Sequence, residues 1–343
     1  MANAKITFYK IDRCGLYVSG ALNPALGDLS SFLQQLKRWV VKNDKTLDET
    51  CTFGLVESEG VERTFCYDLA SDTNTGDYLL TTWNEIVSYN GRVAAVPSGS
   101  RVGNAKVEFT SLPKNSIPGY ATYFWFVPAK SVYATIRFQS RLNGKRNLEK
   151  YLREFIGKFS DYVILSDYGD SDLNIAGYRA KPEDPLLNLY PQFSSSVVKR
   201  LGQVDYIIKN RINIRKITRH NTLSPGVKNN QESWQKLLRS LGIKKEKILS
   251  VDVRLTYDFP FTPTEEELKE IIDEWESSHD SRWDDVGFTF ACEQSPRWLS
   301  HSVAKDDFEL ETLDVANEIH EATSILEALA SMRDSILAVM HNP

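Results

Sequence analysis

A chain of 343 residues with 41% hydrophobic and 11% aromatic side chains can fill more than one core, because single cores stop growing near ~250–300 residues. No apolar run approaches the ~18 residues of a membrane span. The opening Met-Ala-Asn-Ala-Lys-Ile-Thr-Phe-Tyr-Lys lacks the apolar centre of a signal peptide, and Cys14, Cys51, Cys66 and Cys292 form no Cys-x-x-Cys pair, which argues against a disulfide frame or a zinc knuckle and points to a soluble, cytoplasmic protein. The net charge of −5 is sorted along the chain. Residues 1–136 hold 13 Lys and Arg against 13 Asp and Glu, residues 137–254 hold 23 against 12, and residues 255–343 hold 5 against 21. A basic middle of this size is how a polyanion-binding surface looks in sequence. It is also compatible with two solvated faces that neutralise each other.

In chain order, residues 5–20 alternate apolar and polar side chains (Ile6, Phe8, then Leu16, Val18), the period of one strand or of two turned near Arg13-Cys14-Gly15. Asp28 caps a helix with Leu29, Phe32, Leu33, Leu36 and Val40 along one face. Strands are expected at 52–58 and 64–69, a polar loop at 71–77 and a short helix at 77–89. Proline and glycine punctuate 93–109. The aromatic, β-branched runs 120–127 and 132–138 form a hairpin through Pro128-Ala129-Lys130-Ser131, with Tyr123, Phe124, Trp125, Phe126, Tyr133 and Phe138 filling a core. Asn147 opens a helix through Leu148, Leu152, Phe155 and Ile156. The Gly/Asp/Asn/Pro-rich segment 168–191 reads as a junction. A strand at 204–217, a helix at 231–241 and a strand at 248–257 follow. Thr264 and Glu267 then make a capping box ahead of Leu268, Ile271, Ile272 and Trp275. A short strand at 288–290 precedes a helix over 308–340. The expected fold is α+β with two domains, each a mainly antiparallel sheet with helices. They are an N-terminal domain at 1–160, a junction at 161–195, and a C-terminal domain at 196–343 with a basic strand and a long terminal helix.

The most physically specific segment is 204–220. Read at period two, Lys209, Arg211, Asn213 and Arg215 share one face, while Tyr206, Ile208, Ile212 and Ile214 share the other. That predicts a cationic ladder spaced at ~6.6–7 Å, close to the spacing of phosphates along one nucleic-acid strand, which it can follow without reading bases. Lys199 and Arg200 precede it, and Lys216 and Arg219 continue it. Arg141, Lys145 and Arg146 flank the turn signal Asn143-Gly144. Arg137, Lys150, Arg153, Lys236, Arg239, Lys244, Lys245 and Lys247 add to the positive charge. An edge strand that carries cations to prevent edge pairing fits the same pattern.

Enzyme signatures are sparse. His220, His279, His301, His320 and His341 are isolated, and Ser98-Gly-Ser-Arg-Val-Gly103 lacks the lysine of a phosphate-binding loop. No catalytic residue, metal site or cofactor is assigned. The run Asp161, Asp167, Asp170, Asp172 keeps one rival open, a metal-dependent nuclease of an antiphage or toxin system. Near the end, Val315, Ile319, Ala322, Leu326, Leu329, Arg333, Ile336 and Met340 follow a 4,3 spacing broken at Arg333. Such a stripe packs on its own domain or pairs with a copy, so Val315, Ile319, Leu326, Leu329 and Ile336 are the candidate oligomerisation residues.

Three stretches are similar to one known family. They are Leu29-Ser-Ser-Phe-Leu-Gln-Gln-Leu36 after an opening strand, the aromatic hairpin 120–138 followed by its helix, and 204–220 together with the terminal Ala330-Ser-Met-Arg-Asp-Ser-Ile-Leu337. In this arrangement the chain resembles the RexA phage-exclusion proteins of temperate phages such as lambda, and it is longer than the lambda protein, chiefly in its second half. The resemblance implies a two-domain homodimer similar in fold to the recombination-associated protein RdgC, with non-specific DNA binding and no catalytic centre. It also implies a role in excluding superinfecting phage or biasing the lysogenic switch. A membrane-protein partner stays open, without membrane insertion of this chain. A third alternative is an interaction protein whose acidic C-terminal part binds a basic partner or covers its own basic surface.

Overall fold

The computed structural model describes residues 1–42, 45–54, 62–86, 92–95, 108–111, 113, 116–138, 144–166, 175–199, 203–223, 253–278, 285–291, 293, 295–316 and 319–340. The first half runs β1 (Ala2–Tyr17), α1 (Leu29–Val41), β2 (Thr64–Ser71), β3 (Tyr78–Glu85), β4 (Arg92–Ala95), β5 (Glu108–Ser111), β6 (Gly119–Val127), β7 (Val132–Arg137), α2 (Lys145–Lys158), β8 (Val163–Leu165), β9 (Ile175–Tyr178) and β10 (Tyr190–Val197). The second runs α3 (Gln203–Lys209), β11 (Ile214–Leu223), β12 (Val253–Phe259), α4 (Glu265–Ser278), β13 (Asp285–Phe290), β14 (Arg297–Trp298), β15 (Lys305–Leu310), β16 (Asp314–Ala316), β17 (Ile319–His320), α5 (Ala322–Ser331) and α6 (Arg333–Ala338). The fold is α+β, with antiparallel pairing throughout.

A seven-stranded sheet in the order β10-β1-β7-β6-β3-β2 forms the centre. Its spine is β1, which does not turn at Cys14 but bulges between Ile11 and Arg13. One edge of β1 pairs with β7. The other takes β15 along residues 2–7 and β10 along residues 9–17. The period of two sends Ile6 and Phe8 to one face and Tyr9 and Ile11 to the other. On the second of these faces α1 and α2 pack through Phe32, Leu33, Leu36, Leu148, Leu152 and Phe155. Local signals set both helix starts that the sequence marks most clearly. Asp28 Oδ1 accepts from the Ser31 amide at 2.8 Å while Ser31 Oγ accepts from the Asp28 amide at 2.9 Å. Thr264 and Glu267 exchange the same kind of bonds at 2.8 and 3.2 Å ahead of α4.

A four-stranded sheet in the order β12-β11-β13-β14 follows, and Leu268, Ile272 and Trp275 of α4 join Ile214, Ile217, Phe288 and Phe290 in the same apolar cluster as α1 and α2. The large sheet draws β10 and β15 from outside residues 1–160, and residues 322–340 cover its far face. The boundaries expected near 160 and 196 therefore do not bound this sheet.

Several expected elements take another form, among them the strand expected at 52–58, whose described residues 52–54 are not strand. Residues 78–85 are strand, not helix. This strand lies between β2 and β6 and is buried on both faces, with Leu79 and Leu80 in opposite cores and Thr81, Thr82 and Asn84 buried as well, so its sequence does not alternate. The helix expected over 308–340 is three strands and two short helices, interrupted at Met332. Leu326, Leu329 and Ile336 are buried on the large sheet and so belong to the core of this chain, not to an exposed dimer seam. Val315 and Ile319 lie in β16 and β17, off the helix. Among the described residues no helix is long and apolar enough to cross a membrane.

Arg333, the break in the stripe, reaches back to β3. Its Nε and Nη2 donate to Asp77 Oδ2 and Oδ1 at 2.8 and 3.1 Å, and Trp125 Nε1 donates to the same carboxylate at 3.1 Å. Asp77 is only 2% exposed. Arg333→Ala should cost about 3 kcal/mol, since it leaves a buried carboxylate without its cation. Urea unfolding should show the loss, and amide exchange in 322–338 should rise first. Unchanged stability and exchange would mean that the apolar stripe alone seats the terminal helices.

Candidate nucleic-acid interface

The ladder predicted at 209–215 needs extended backbone, and the chain supplies extended backbone only from Ile214 onward. Val204 and Ile207 are buried one helical turn apart, which makes 203–209 an α-helix, and a 3-10 turn over Arg211–Asn213 leads into β11. Lys209, Arg211 and Arg215 are consequently not a row at strand spacing. They surround the end of α3 and the start of β11, with Lys209 and Arg215 exposed and Arg211 half-buried. Tyr206, 38% exposed, is three residues before Lys209 and so shares its side of the helix. The Arg297 guanidinium lies over the Tyr206 ring at 4.3 Å and is itself paired with Glu293 at 2.7 Å. Lys209, Arg211 and Arg215 make no ion pair among the described residues.

The other candidate cations are placed differently. Lys199 pairs with Glu276 of α4. Lys216 Nζ lies 3.0 Å from Asp258 Oδ2, and Arg219 holds Glu274 at 2.9 Å. Bonds from Thr218 first and Lys216 second keep the Asp258 carboxyl below its usual range, and Arg219 does the same for Glu274. Lys145 is 3% exposed. Its ammonium sits 3.7 Å from Glu149 and over the Tyr9 ring at 5.7 Å, beneath β10, whose Ser195 amide and hydroxyl donate to Glu149 at 2.9 and 2.7 Å. Lys145 therefore cannot reach a phosphate, a correction to the sequence reading. Arg146 is exposed, whereas Arg141 and Arg200 lie outside the described residues, as do Lys236, Arg239, Lys244, Lys245 and Lys247.

The second sheet adds residues that the sequence pattern did not bring together. Lys216, Thr218 and His220 of β11 share one face with Arg254, Thr256 and Asp258 of β12, from the pairing Thr218↔Asp258 and His220↔Thr256. Trp298 of β14 lies over Gly287, where a Cβ would meet its ring at 2.9 Å, and its ring centroid is 4.3 Å from that of His220. Glycine at 287 is the local signal for this close approach.

Positive charge beside exposed rings can hold a phosphate chain and stack bases. The described thiols are not poised as nucleophiles. Burial pushes Cys14 and Cys66 up to about 12, with Asp28 and Asp68 adding repulsion. Of the run Asp161, Asp167, Asp170 and Asp172, Asp161 is bonded to Arg38 at 2.6 Å and the other three lie outside the described residues. Among the described residues no cluster of His, Cys, Asp or Glu could hold a metal ion. Comparison with protein-family models, with curated proteins and with solved structures finds no match to this chain.

Lys145→Met should lower stability by about 1–3 kcal/mol, the scale of a buried charged hydrogen-bond partner. It should leave affinity for a DNA duplex unchanged. A loss of affinity at unchanged melting temperature would return Lys145 to the surface.

Proposed function

We propose that this chain is a non-enzymatic, non-specific DNA-binding protein of a phage-exclusion or lysogeny-control system, as the resemblance to RexA proteins implies. The observation that carries the reading is that Lys209, Arg211 and Arg215, which make no ion pair among the described residues, follow one another from the end of α3 into β11 in the most basic third of the chain. Cations that follow one another out of a helix end suit phosphates, and offer few groups that would read one base against another. The acidic C-terminal part enters as a competitor. Glu276, Asp258 and Glu274 neutralise Lys199, Lys216 and Arg219 within the chain. Leu268, Ile272 and Trp275 are buried and anchor α4 in the core.

Affinity should vary little with base sequence and fall steeply with salt, with a slope of about −0.9 per neutralised phosphate. Replacing Lys209, Arg211 and Arg215 together by Ala should flatten log K against log[salt] by about 2–3 units with little change in melting temperature. A folded triple variant with an unchanged slope sinks the site. A parallel incubation with Mg²⁺ or Mn²⁺ should leave the DNA intact; metal-dependent cutting would favour the nuclease reading.

Glu274→Gln releases Arg219 while α4 keeps its core side chains. It should tighten duplex binding about two- to fivefold at low salt, the scale of an exposed ion pair. No change in affinity would place Arg219 outside the path of the DNA.

A further inference from the structure

At the β2 edge of the large sheet two rings lie side by side. Tyr67 is the extra residue of the bulge between Cys66 and Asp68, which leaves it without a partner on β3. Its ring is 38% exposed and comes to 5.9 Å from that of Trp83, at an angle of 30°. Trp83 shares the face of Leu79 by the period of two, and its Nε1 donates to the Ile117 carbonyl at 3.0 Å, which fixes the ring. Leu47, Ile117 and Ile319 complete the apolar lining of a cleft of about 460 Å³, within the ~300–1,000 Å³ of small-molecule sites. Asp48 lines the same cleft, and among the described residues no lysine or arginine does. It belongs to the 3-10 turn Leu47–Thr50, whose start is held by the Thr46 amide and hydroxyl donating to Glu49 Oε2 at 2.7 and 2.9 Å. The Asp48 carboxylate is exposed and makes no hydrogen bond or ion pair among the described residues. Arg63 is near enough to feel its charge, but Arg63 Nε and Nη2 already donate to Glu85 Oε2 and Oε1 at 2.7 Å each.

We propose that this cleft binds a small organic cation, an N-methylated ammonium whose methyl groups lie on the Tyr67 and Trp83 rings while its charge faces Asp48. The lining selects against the alternatives. An anion would meet a carboxylate and no counter-charge. A neutral apolar ligand would take Asp48 partly out of water without replacing its hydration. A cation gains from the negative faces of the two rings and from the carboxylate, and its alkyl groups are covered by Leu47, Ile117 and Ile319. Among cations the lining favours methylation on nitrogen. A primary ammonium brings three N–H donors. Here the Thr46 and Ser116 hydroxyls are tied to Glu49 and to the Pro113 carbonyl, which leaves Asp48 as the charged acceptor. A head group that needs few hydrogen bonds therefore suits the cleft best. None of the residues invoked for nucleic acid takes part, so the two readings stand or fall separately.

The test is a titration of the full chain with choline and with 3,3-dimethyl-1-butanol, the neutral isostere in which carbon replaces the charged nitrogen. Calorimetry and the proton resonances of the ligand methyl groups report binding. Choline should bind with a millimolar Kd, the scale of one or two cation–ring contacts and an exposed ion pair. Its N-methyl resonance should move upfield in the ring currents. The isostere should bind about tenfold more weakly or not at all. Asp48→Asn keeps the shape of the turn and should weaken choline about three- to tenfold. Tyr67→Leu keeps apolar area but removes one ring face, and should weaken it by a similar factor. A peptide carrying trimethyl-lysine separates two sources of the same head group. Binding at least as tight as that of choline assigns the site to a protein side chain, and binding of choline alone assigns it to a free small molecule; both results support the site. If Tyr67→Leu does not fold, the isostere comparison on wild type and the D48N arm decide. Absence of saturable choline binding would overturn the proposal, as would an isostere that binds as tightly as choline. So would a D48N variant that binds choline as tightly as wild type, which would place the bound cation elsewhere.

Discussion

The carboxylate of Asp77 is the charge around which the large sheet closes. It sits at the start of β3, after a turn in which Asp72 accepts from the Asn74 amide at 2.8 Å and from Thr75 Oγ1 at 2.8 Å. A buried carboxylate must be given donors, and here they come from two places far apart in sequence, Trp125 on the neighbouring strand β6 and Arg333 at the start of α6. A buried ion pair contributes little net stability against an apolar replacement, but a partner in the wrong place is costly. Its effect is thus on position. The apolar residues of α5 and α6 would tolerate some sliding over Leu79, Trp125 and Ile136, and the forked geometry of Arg333 on one carboxylate does not. The terminal helices can be short because they do not need length to find their register.

The second constraint is the length of β1. Sixteen residues are enough for two strands to dock end to end along one edge, and backbone bonds from Phe8 to Ala304, from Val198 to Phe8 and from Ala304 to Val198 stitch the point where β10 gives way to β15. The chain leaves the large sheet at Val197, builds α3, the smaller sheet and α4, and returns at Lys305. The smaller sheet is therefore held at both ends by neighbouring positions on one strand. That explains why one apolar cluster runs from Phe32 on α1 to Phe288 on β13, and why a division into separate halves, reasonable from the Gly/Asp/Asn/Pro-rich 168–191, does not describe the sheet.

What the sequence disclosed was local. Asp28, Thr264 with Glu267, and the Pro128 hairpin are signals complete within a few residues, and each produced the expected element. The failures occurred where two periods fit the same letters. Val204, Ile207 and Ile208 have helical spacing, while Ile208, Ile212 and Ile214 alternate like a strand. Burial of Ile207 in the core decided for the helix, and burial is a property of the whole fold. The 4,3 stripe from Val315 to Met340 is real helix only after Ala322; its first two members fall in strands by coincidence. Arg333 stood out as the break in the stripe, but its partner lies 256 residues away, beyond the reach of any local pattern. The same holds for Lys216, His220, Arg254 and Trp298, which come from three strands whose order in the sheet cannot be read from their order in the chain.

The sorting of charge acquires a different meaning once the contacts are placed. Lys199–Glu276, Lys216–Asp258 and Arg219–Glu274 each join the basic middle to the acidic end. The two blocks are partly complementary surfaces of one fold, bringing β11 against β12 and α4 against the strand before α3. A count of cations along the sequence therefore overstates the positive surface offered to a polyanion. What remains is compact. Exposed charges act over a Debye length of ~8–10 Å at physiological salt, so a polyanion responds to the nearest uncompensated group and not to the block average. Lys209, Arg211 and Arg215 make no ion pair among the described residues and fall within seven residues of one another, with Glu265 near enough to Arg211 to feel its charge. A chain that is net acidic can in this way present one basic spot that orients an approaching phosphate backbone, while the acidic surface around it limits how far that backbone spreads.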